Sequence, residues 1–329
     1  MSSKPRLGFL GVGWIGRHRM KKMMETGVVE AAAIADPSAE MRAEAVTLAP
    51  DAAVVDTVEE LLAQDLDGVV IATPSAQHAE QSVAALERGM AVFCQKPLGR
   101  TAAEVSAVVE AARRADRLLG VDLSYRFTNG MQRIRELVRS NELGAVFAAD
   151  LTFHNAYGPG KPWFFDPKQS GGGCVMDLGV HLVDLALWAL NWPEVAEVQS
   201  HLMHKGAPLV DATSQCEDYA VATIRLANGA VLRLACSWEL PAGKEAVIAA
   251  EFYGTAGGAA LRNEGGSFYE FISTRMNGTG SEPLAEPDSD WGGRSAQDWA
   301  RRLASGGGFD PEAERLVDVA RVLDAIYQR

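Results

Sequence analysis

The sequence predicts an α/β protein with a doubly wound parallel sheet first, then an α+β domain built on an antiparallel sheet. Three observations predict it. Up to about residue 123, short runs that are apolar throughout alternate with amphipathic helical stretches, as in a parallel sheet covered on both faces. Beyond that point, long segments alternate apolar and polar residues, as antiparallel strands with one free face do. The 329 residues also exceed what one core usually serves, so the chain divides into residues 1–123 and 124–329.

The elements follow in order. Residues 6–10 read as a strand, then a glycine turn leads to a helix running to Met24. Residues 29–35 are the second strand and 37–48 a helix. A short strand at 53–55 precedes Thr57, whose hydroxyl is placed to cap a helix at 58–63. Residues 68–72 form an apolar strand, 77–88 a helix, 91–94 a strand, 102–115 a helix and 119–123 a last strand. A helix at 129–140 opens the second part, whose alternating segments are 145–154, 194–204, 218–226, 230–238 and 246–253. Asn228-Gly229 is a pair favoured in tight hairpins. One long helix at 174–189 interrupts the strands, 277–293 reads as a surface loop, and 311–327 is a closing amphipathic helix.

The net charge of −12 argues against nucleic acid or an anionic membrane as partner, since both need a basic patch. No run of about 18 apolar residues is evident. The first residues lack the succession of a signal peptide, so a cytoplasmic location is expected. Cys94, Cys174, Cys216 and Cys236 show no CxxC and no metal-ligand spacing; reduced, packed thiols and no metal are expected.

Gly11-Val12-Gly13-Trp14-Ile15-Gly16 is a GxGxxG between the first strand and the first helix. Its glycines allow a tight turn and close approach to a pyrophosphate, and the helix start supplies N–H donors. Glycines at this spacing also arise by chance in a chain with 32 of them, so context decides. Asp36 supplies it: a carboxylate 20 residues past Gly16, at the end of the second strand, can accept from the adenosine ribose hydroxyls. It would repel a 2′-phosphate, and Pro37-Ser38 brings no arginine alongside, which favours NAD over NADP. A flavin or nucleoside-binding variant of this Rossmann arrangement is the alternative.

Two clusters carry candidate chemistry. Lys96, in Cys94-Gln95-Lys96-Pro97, follows the fifth strand, where open α/β sheets bind ligands; the alternative is a solvated loop lysine. Asp177 and His181 are four residues apart on the helix after Gly171-Gly172-Gly173, so they share a face and form a proton-transfer unit or a plain ion pair. The three glycines would let a ligand come close to that helix start. Asp184 continues the face and could support His181. In residues 154–170, Tyr157, Trp163, Phe164 and Phe165 suit a loop lining a sugar site; the alternative is that Trp163, Phe164 and Phe165 pack at the domain junction.

Together GVGWIG, IATPSAQHAEQSVAALERGMAVFCQKPLG and SGGGCVMDLGVHLVDLALW resemble the glucose–fructose oxidoreductase / inositol dehydrogenase (Gfo/Idh/MocA) family, in order and over nearly the whole chain. The resemblance implies a Rossmann domain, then an α/β domain on a large, predominantly antiparallel open sheet. It implies that Lys96 orients substrate and aids loss of the hydroxyl proton, with His181 as general base and Asp177 as its supporting substrate ligand. Thr73, Pro74 and His78 match the family's loop along the cofactor, and Tyr125 and Arg126 fall at the start of the second domain, by the substrate. Gln95 stands where the family usually has a glutamate that contacts the nicotinamide-side ribose, and is expected to keep that contact.

The function so implied is an NAD(H)-dependent oxidoreductase acting on a secondary alcohol of a sugar, cyclitol or related polyol. Two other readings stay open: a glycoside hydrolase or lyase that uses held NAD for transient oxidation, and a non-catalytic NAD(H) or sugar sensor. The free sheet face, as in 221–226 and 230–238, is expected to be partly apolar and buried in a homodimer or homotetramer.

Overall fold

The structure, a computed structural model, describes residues 4–288 and 290–329. Residues 1–3, part of the stretch read as lacking a signal peptide, and Ser289, within the expected loop 277–293, lie outside the described residues. The chain forms two units. One runs to Asp122 and includes Gly293–Val317; the other comprises Leu123–Gly292 and Asp318–Arg329. The division into 1–123 and 124–329 is thus corrected: a late segment belongs to the first unit.

The first unit contains β1 (Arg6–Leu10), α1 (Trp14–Glu25), β2 (Glu30–Ala35), α2 (Ala39–Val46), β3 (Ala53–Val55), α3 (Val58–Leu62), β4 (Gly68–Ile71), α4 (Ser75–Leu86), β5 (Ala91–Cys94), α5 (Ala102–Ala115) and β6 (Leu119–Val121). All six strands are parallel, in the order β3-β2-β1-β4-β5-β6. The order reverses direction between β1 and β4, which opens a crevice at their carboxyl ends. Capping residues set several helix starts. Ser38, Thr57 and Thr101 each accept a backbone N–H of the helix that follows, and Glu60 answers Thr57 to complete a capping box.

The second unit begins with a short helical turn, Ser124–Phe127, and α6 (Asn129–Arg139). Then come β7 (Val146–Asn155), α7 (Pro167–Ser170), a π-helical segment Val175–Gly179 and α8 (Val180–Ala189). The strands β8 (Val195–His204), β9 (Ala207–Pro208), β10 (Tyr219–Leu226), β11 (Val231–Ser237), β12 (Ala246–Gly254), β13 (Gly257–Asn263), β14 (Phe271–Asn277) and β15 (Gly280–Ala285) complete it. The sheet order is β15-β14-β13-β12-β7-β11-β10-β8-β9, and β7 with β11 is the parallel pair in an otherwise antiparallel ladder. The expected loop 277–293 is corrected in part, because β15 occupies Gly280–Ala285 within it. The expected single helix 174–189 contains the π-helical insertion.

Every residue of α8 is buried, against the inward side chains of the sheet. That burial explains its uniform apolarity. The stretch Pro167–Ala189 is long and apolar enough to cross a membrane by length and composition, contrary to the sequence reading, but 94% of its apolar window is enclosed by the protein. On β10, Ala220, Ala222, Ile224 and Leu226 point into the core, while Thr223 and Arg225 are exposed on the other face. That outer face is a mosaic rather than an apolar patch. Arg233 forks Asp150, and Arg225 and Arg262 pair with Glu197 and Glu251. A groove of about 470 Å³ crosses it, lined in part by Thr152, Gln199 and His201.

The chain then supplies α9 (Arg294–Ala304) to the first unit and ends in α10 (Arg315–Tyr327), preceded by a short turn at Pro311–Glu314. Trp299 of α9 is 2% exposed and lies against Phe93. A Cβ at Gly68 or Gly120 would come within 2.9 or 2.6 Å of its indole. Those two strand glycines are the socket that admits the ring.

Candidate functional site

In the first unit the candidate cradle is the turn between β1 and α1. Gly11 has φ +81°, and a Cβ there would lie 2.6 Å from the Ala72 carbonyl oxygen. A Cβ at Gly16 would lie 2.1 Å from the Gly11 carbonyl oxygen. Both positions therefore demand glycine. Gly13 precedes α1 without a side-chain cap, so the helix presents its opening N–H groups to an acceptor from outside. Ile15 is half-buried, while Trp14 is 64% exposed and stacks on His18.

Asp36 accepts from the backbone N–H of Val12 through Oδ2 and of Ser38 through Oδ1, both at 2.8 Å. The carboxylate braces the turn and keeps lone pairs for ribose hydroxyls. Pro37-Ser38 brings no arginine alongside, but two arginines reach this turn from the neighbouring helices. Arg42 donates to the Asp36 carbonyl at 2.5 Å, and Arg17 donates to the Val12 carbonyl at 2.8 Å. Helix spacing, not chain adjacency, delivers them. Arg17 pairs with Glu44 and Arg42 with Asp56. These features fit a dinucleotide.

The remaining residues expected along the cofactor serve the scaffold directly. Thr73 donates its hydroxyl to Gln81, and Pro74 is the cap residue of α4. His78 is 1% exposed, with its ring nitrogens 2.7 Å from the carbonyl oxygens of Pro97 and Thr73. It ties together the loops after β4 and β5, so both its polar atoms face protein. Gln95 is buried and donates Nε2–H to Asp122 Oδ2 at 2.8 Å, an oxygen that also takes the Arg19 Nε–H at 2.6 Å. Ser295 donates to the other Asp122 oxygen. Lys96 follows, half-buried, ahead of a cis peptide bond to Pro97.

In the second unit, Asp177 lies in the π-helical segment and His181 in the first turn of α8. Such insertions in a helix are frequent at functional sites. Asp177 Oδ2 accepts the indole Nε1–H of Trp238 at 3.1 Å. His181 is buried edge-on to Tyr125, with ring centroids 4.9 Å apart. Tyr125 is itself boxed by Phe153, Phe271 and Trp291, and burial pushes its phenol far up. Its place is beneath the histidine.

Two expectations change here. Arg126 donates Nε–H to Asp184 Oδ2 at 2.7 Å and forks the other oxygen, while its guanidinium lies 5.1 Å from the Trp192 ring. Asp184 is 1% exposed, and burial raises its carboxyl pKa against the pull of Arg126. The pair is a structural bond, so Asp184 supports Arg126 rather than His181, and Arg126 is not a ready substrate ligand. The glycines are the second change. A Cβ at Gly172 would lie 2.0 Å from the Tyr327 hydroxyl, and one at Gly173 would lie 1.9 Å from the Glu217 carbonyl oxygen. They admit protein, not a ligand.

The aromatic loop divides its roles. Trp163 stacks on Phe164 at 3.8 Å, and Phe164 packs on the core. Phe165, 47% exposed, lies edge-on to Trp238, and Tyr157 is 54% exposed. Among the described residues no group of three or more His, Cys, Asp or Glu is arranged to hold a metal. The four cysteines are free and buried. Sequence reasoning missed Trp238, Glu217 and Asp122. Their partners lie 61, 44 and 27 residues away, and no local spacing marks them.

Comparison with known proteins gives two family matches. Residues 6–123 match an oxidoreductase family described as an NAD-binding Rossmann fold, and residues 131–260 match the GFO/IDH/MocA C-terminal domain. A D-glucoside 3-dehydrogenase of Escherichia coli (strain K12) is 30% identical over 211 residues, 61% of this chain and 60% of the relative. A D-xylose 1-dehydrogenase (NADP(+)) 2 of Haloferax volcanii is 36% identical over 192 residues, covering 57% and 58%. The chain thus spans less than two thirds of the length of these relatives. A levoglucosan dehydrogenase solved with NADH and levoglucosan shares the fold, with TM-score 0.85 and 22% identity over 99% of this chain and 97% of that one.

Proposed function

Because the chain belongs to the GFO/IDH/MocA family of NAD(P)-binding oxidoreductases, we propose that it is a dehydrogenase acting on a secondary alcohol of a sugar, cyclitol or related polyol, with NAD(H) as cofactor. The observation that carries the reading is the acid–base set on one helical segment: Asp177, held by the Trp238 indole, leads directly into His181. A sensor has no need of such a set. When bound, the nicotinamide cofactor supplies the acceptor or donor of the hydride. His181 takes the hydroxyl proton, Asp177 orients that hydroxyl, and Lys96 offers a cation to the negative charge that develops on oxygen. Proton transfer of this kind contributes about 10²–10⁴-fold in rate.

Asp36 supports NAD over NADP. Its carboxylate opposes a 2′-phosphate, and Arg17 and Arg42 are already paired with Glu44 and Asp56. Exposed Tyr157 and Phe165 suit the apolar faces of a sugar ring.

The test is NADH formation, followed by absorbance, over polyols, aldoses, glycosides and sugar acids, with NADP in parallel. Activity with NAD that falls at least 10²-fold in His181→Asn, while NADH still binds, is the expected result. Unchanged turnover in His181→Asn would remove that residue from the mechanism. No turnover on any substrate, with cofactor copurifying, would favour transient oxidation.

A further inference from the structure

Glu217 is fully buried, just before β10, and the reaction described above does not use it. Its surroundings are unusual. Oε2 accepts the Gly173 N–H and Oε1 the Val175 N–H, each at 2.9 Å, and the Glu217 carbonyl accepts the Cys174 N–H at 3.0 Å. One distant residue thus meets three consecutive N–H groups where the helical segment carrying Asp177 begins. Cys174, the residue before that segment, provides no side-chain cap of its own. Tyr327, the last residue of α10, donates its hydroxyl to Glu217 Oε1 at 2.7 Å. Arg329 donates to the Gly171 carbonyl at 3.0 Å and lies over the Tyr327 ring.

We propose that Glu217 and Tyr327 are positioning residues for the Asp177–His181 pair, an inference that rests on the dehydrogenase reading. The argument is geometric. A π-helical segment needs its first turn held, because it departs from the ordinary bonding pattern of the helix that follows. Asp177 is two residues beyond Val175, and its N–H reaches back to the Gly173 carbonyl at 3.1 Å. The groups that Glu217 grips are therefore the ones that set the position of Asp177. A carboxylate also complements the positive end of the helix dipole. Gly172 and Gly173 are required because any side chain would strike Tyr327 or Glu217, so the triple glycine and the distant pair form one device. Burial raises the Glu217 pKa while the donors around it pull the other way.

The inference is tested with Tyr327→Phe and Glu217→Gln in the full-length protein. Two readouts are used: steady-state kinetics on the substrate identified for the native enzyme, and the NMR resonance of the Trp238 indole N–H, assigned with Trp238→Phe. Because that N–H bonds Asp177, its shift reports the carboxylate's position without turnover. With native circular dichroism, Tyr327→Phe is expected to lower kcat about tenfold, leave cofactor affinity unchanged and move the indole resonance. Glu217→Gln is expected to do the same more strongly. If Glu217→Gln fails to fold, Tyr327→Phe alone decides. Unchanged kcat and an unmoved resonance would overturn the proposal. If the native protein oxidises nothing, the dehydrogenase reading fails, and the resonance by itself supports or overturns the positional claim.

Discussion

Trp238 donates its indole N–H to Asp177 across 3.1 Å, joining the residue after β11 to the π-helical segment. The same indole meets Phe164 and Phe165 edge-on, so a single side chain connects the aromatic loop with the candidate proton-transfer pair. Trp238 is 3% exposed, so its one polar atom depends on this bond.

Replacing Trp238 with Phe retains an aromatic ring and removes the donor. We expect a stability loss of about 1–3 kcal/mol in urea titration, from the lost bond and the smaller ring. We also expect kcat to fall about tenfold with KM for the cofactor unchanged. A variant that loses stability but retains native kcat would show that the bond serves folding only.

Gln95 and Asp122 make a second, sharper prediction. Both are buried, and the amide donates to the carboxylate at 2.8 Å. Gln95→Glu would set two carboxyl groups against each other and is expected to cost about 2–4 kcal/mol. Adding Asp122→Asn removes the like charge and can set an amide donor opposite the new carboxylate, at the cost of the oxygen that accepts the Arg19 Nε–H. The double variant should recover part of the loss in a double-mutant cycle. Strict additivity would mean that the two side chains act independently.

Burial also decides thiol reactivity. It pushes Cys216 up to about 11 and raises Cys94 and Cys174 further, so ionisation, and with it nucleophilic attack, is suppressed until strongly alkaline pH. At pH 8 the thiolate fraction at Cys216 is on the order of one in a thousand. Mixing native protein with a chromogenic disulfide at that pH should give no rapid release, and four equivalents only after unfolding. A fast native phase would contradict the burial of at least one cysteine.

Much of the first unit was legible because central parallel strands such as β4 and β5 are buried on both faces and apolar without interruption; β1, β5 and α5, and also the exposed edge strand β3, have the expected bounds. Thr57 was readable as a cap because capping is local. The second unit resisted more. β13 to β15 carry glycines and charges that mimic loop composition, and only the successive pairing of β13 with β12, β14 with β13 and β15 with β14 makes strands of them. α9 stayed hidden behind Gly292-Gly293, since its anchor needs a socket far away in sequence. The glycines before Asp177 illustrate the same limit. A close approach could be inferred from them, but the approaching group comes from Glu217 and Tyr327, which no local pattern pairs with them. Arg126 likewise reads as an available cation until Asp184, 58 residues on, is brought beneath it.

The indole of Trp299 has a bearing on how such a chain can be recombined. Its socket is cut from Gly68 and Gly120, yet it arrives on a helix encoded some 180 residues after Gly120. A hybrid that exchanges the nucleotide-binding half as one contiguous stretch would keep the hole and lose the plug, or carry a foreign plug into it. Exchange that preserves the fit has to move two separate stretches of gene together, so the two must be inherited, and altered, as a pair.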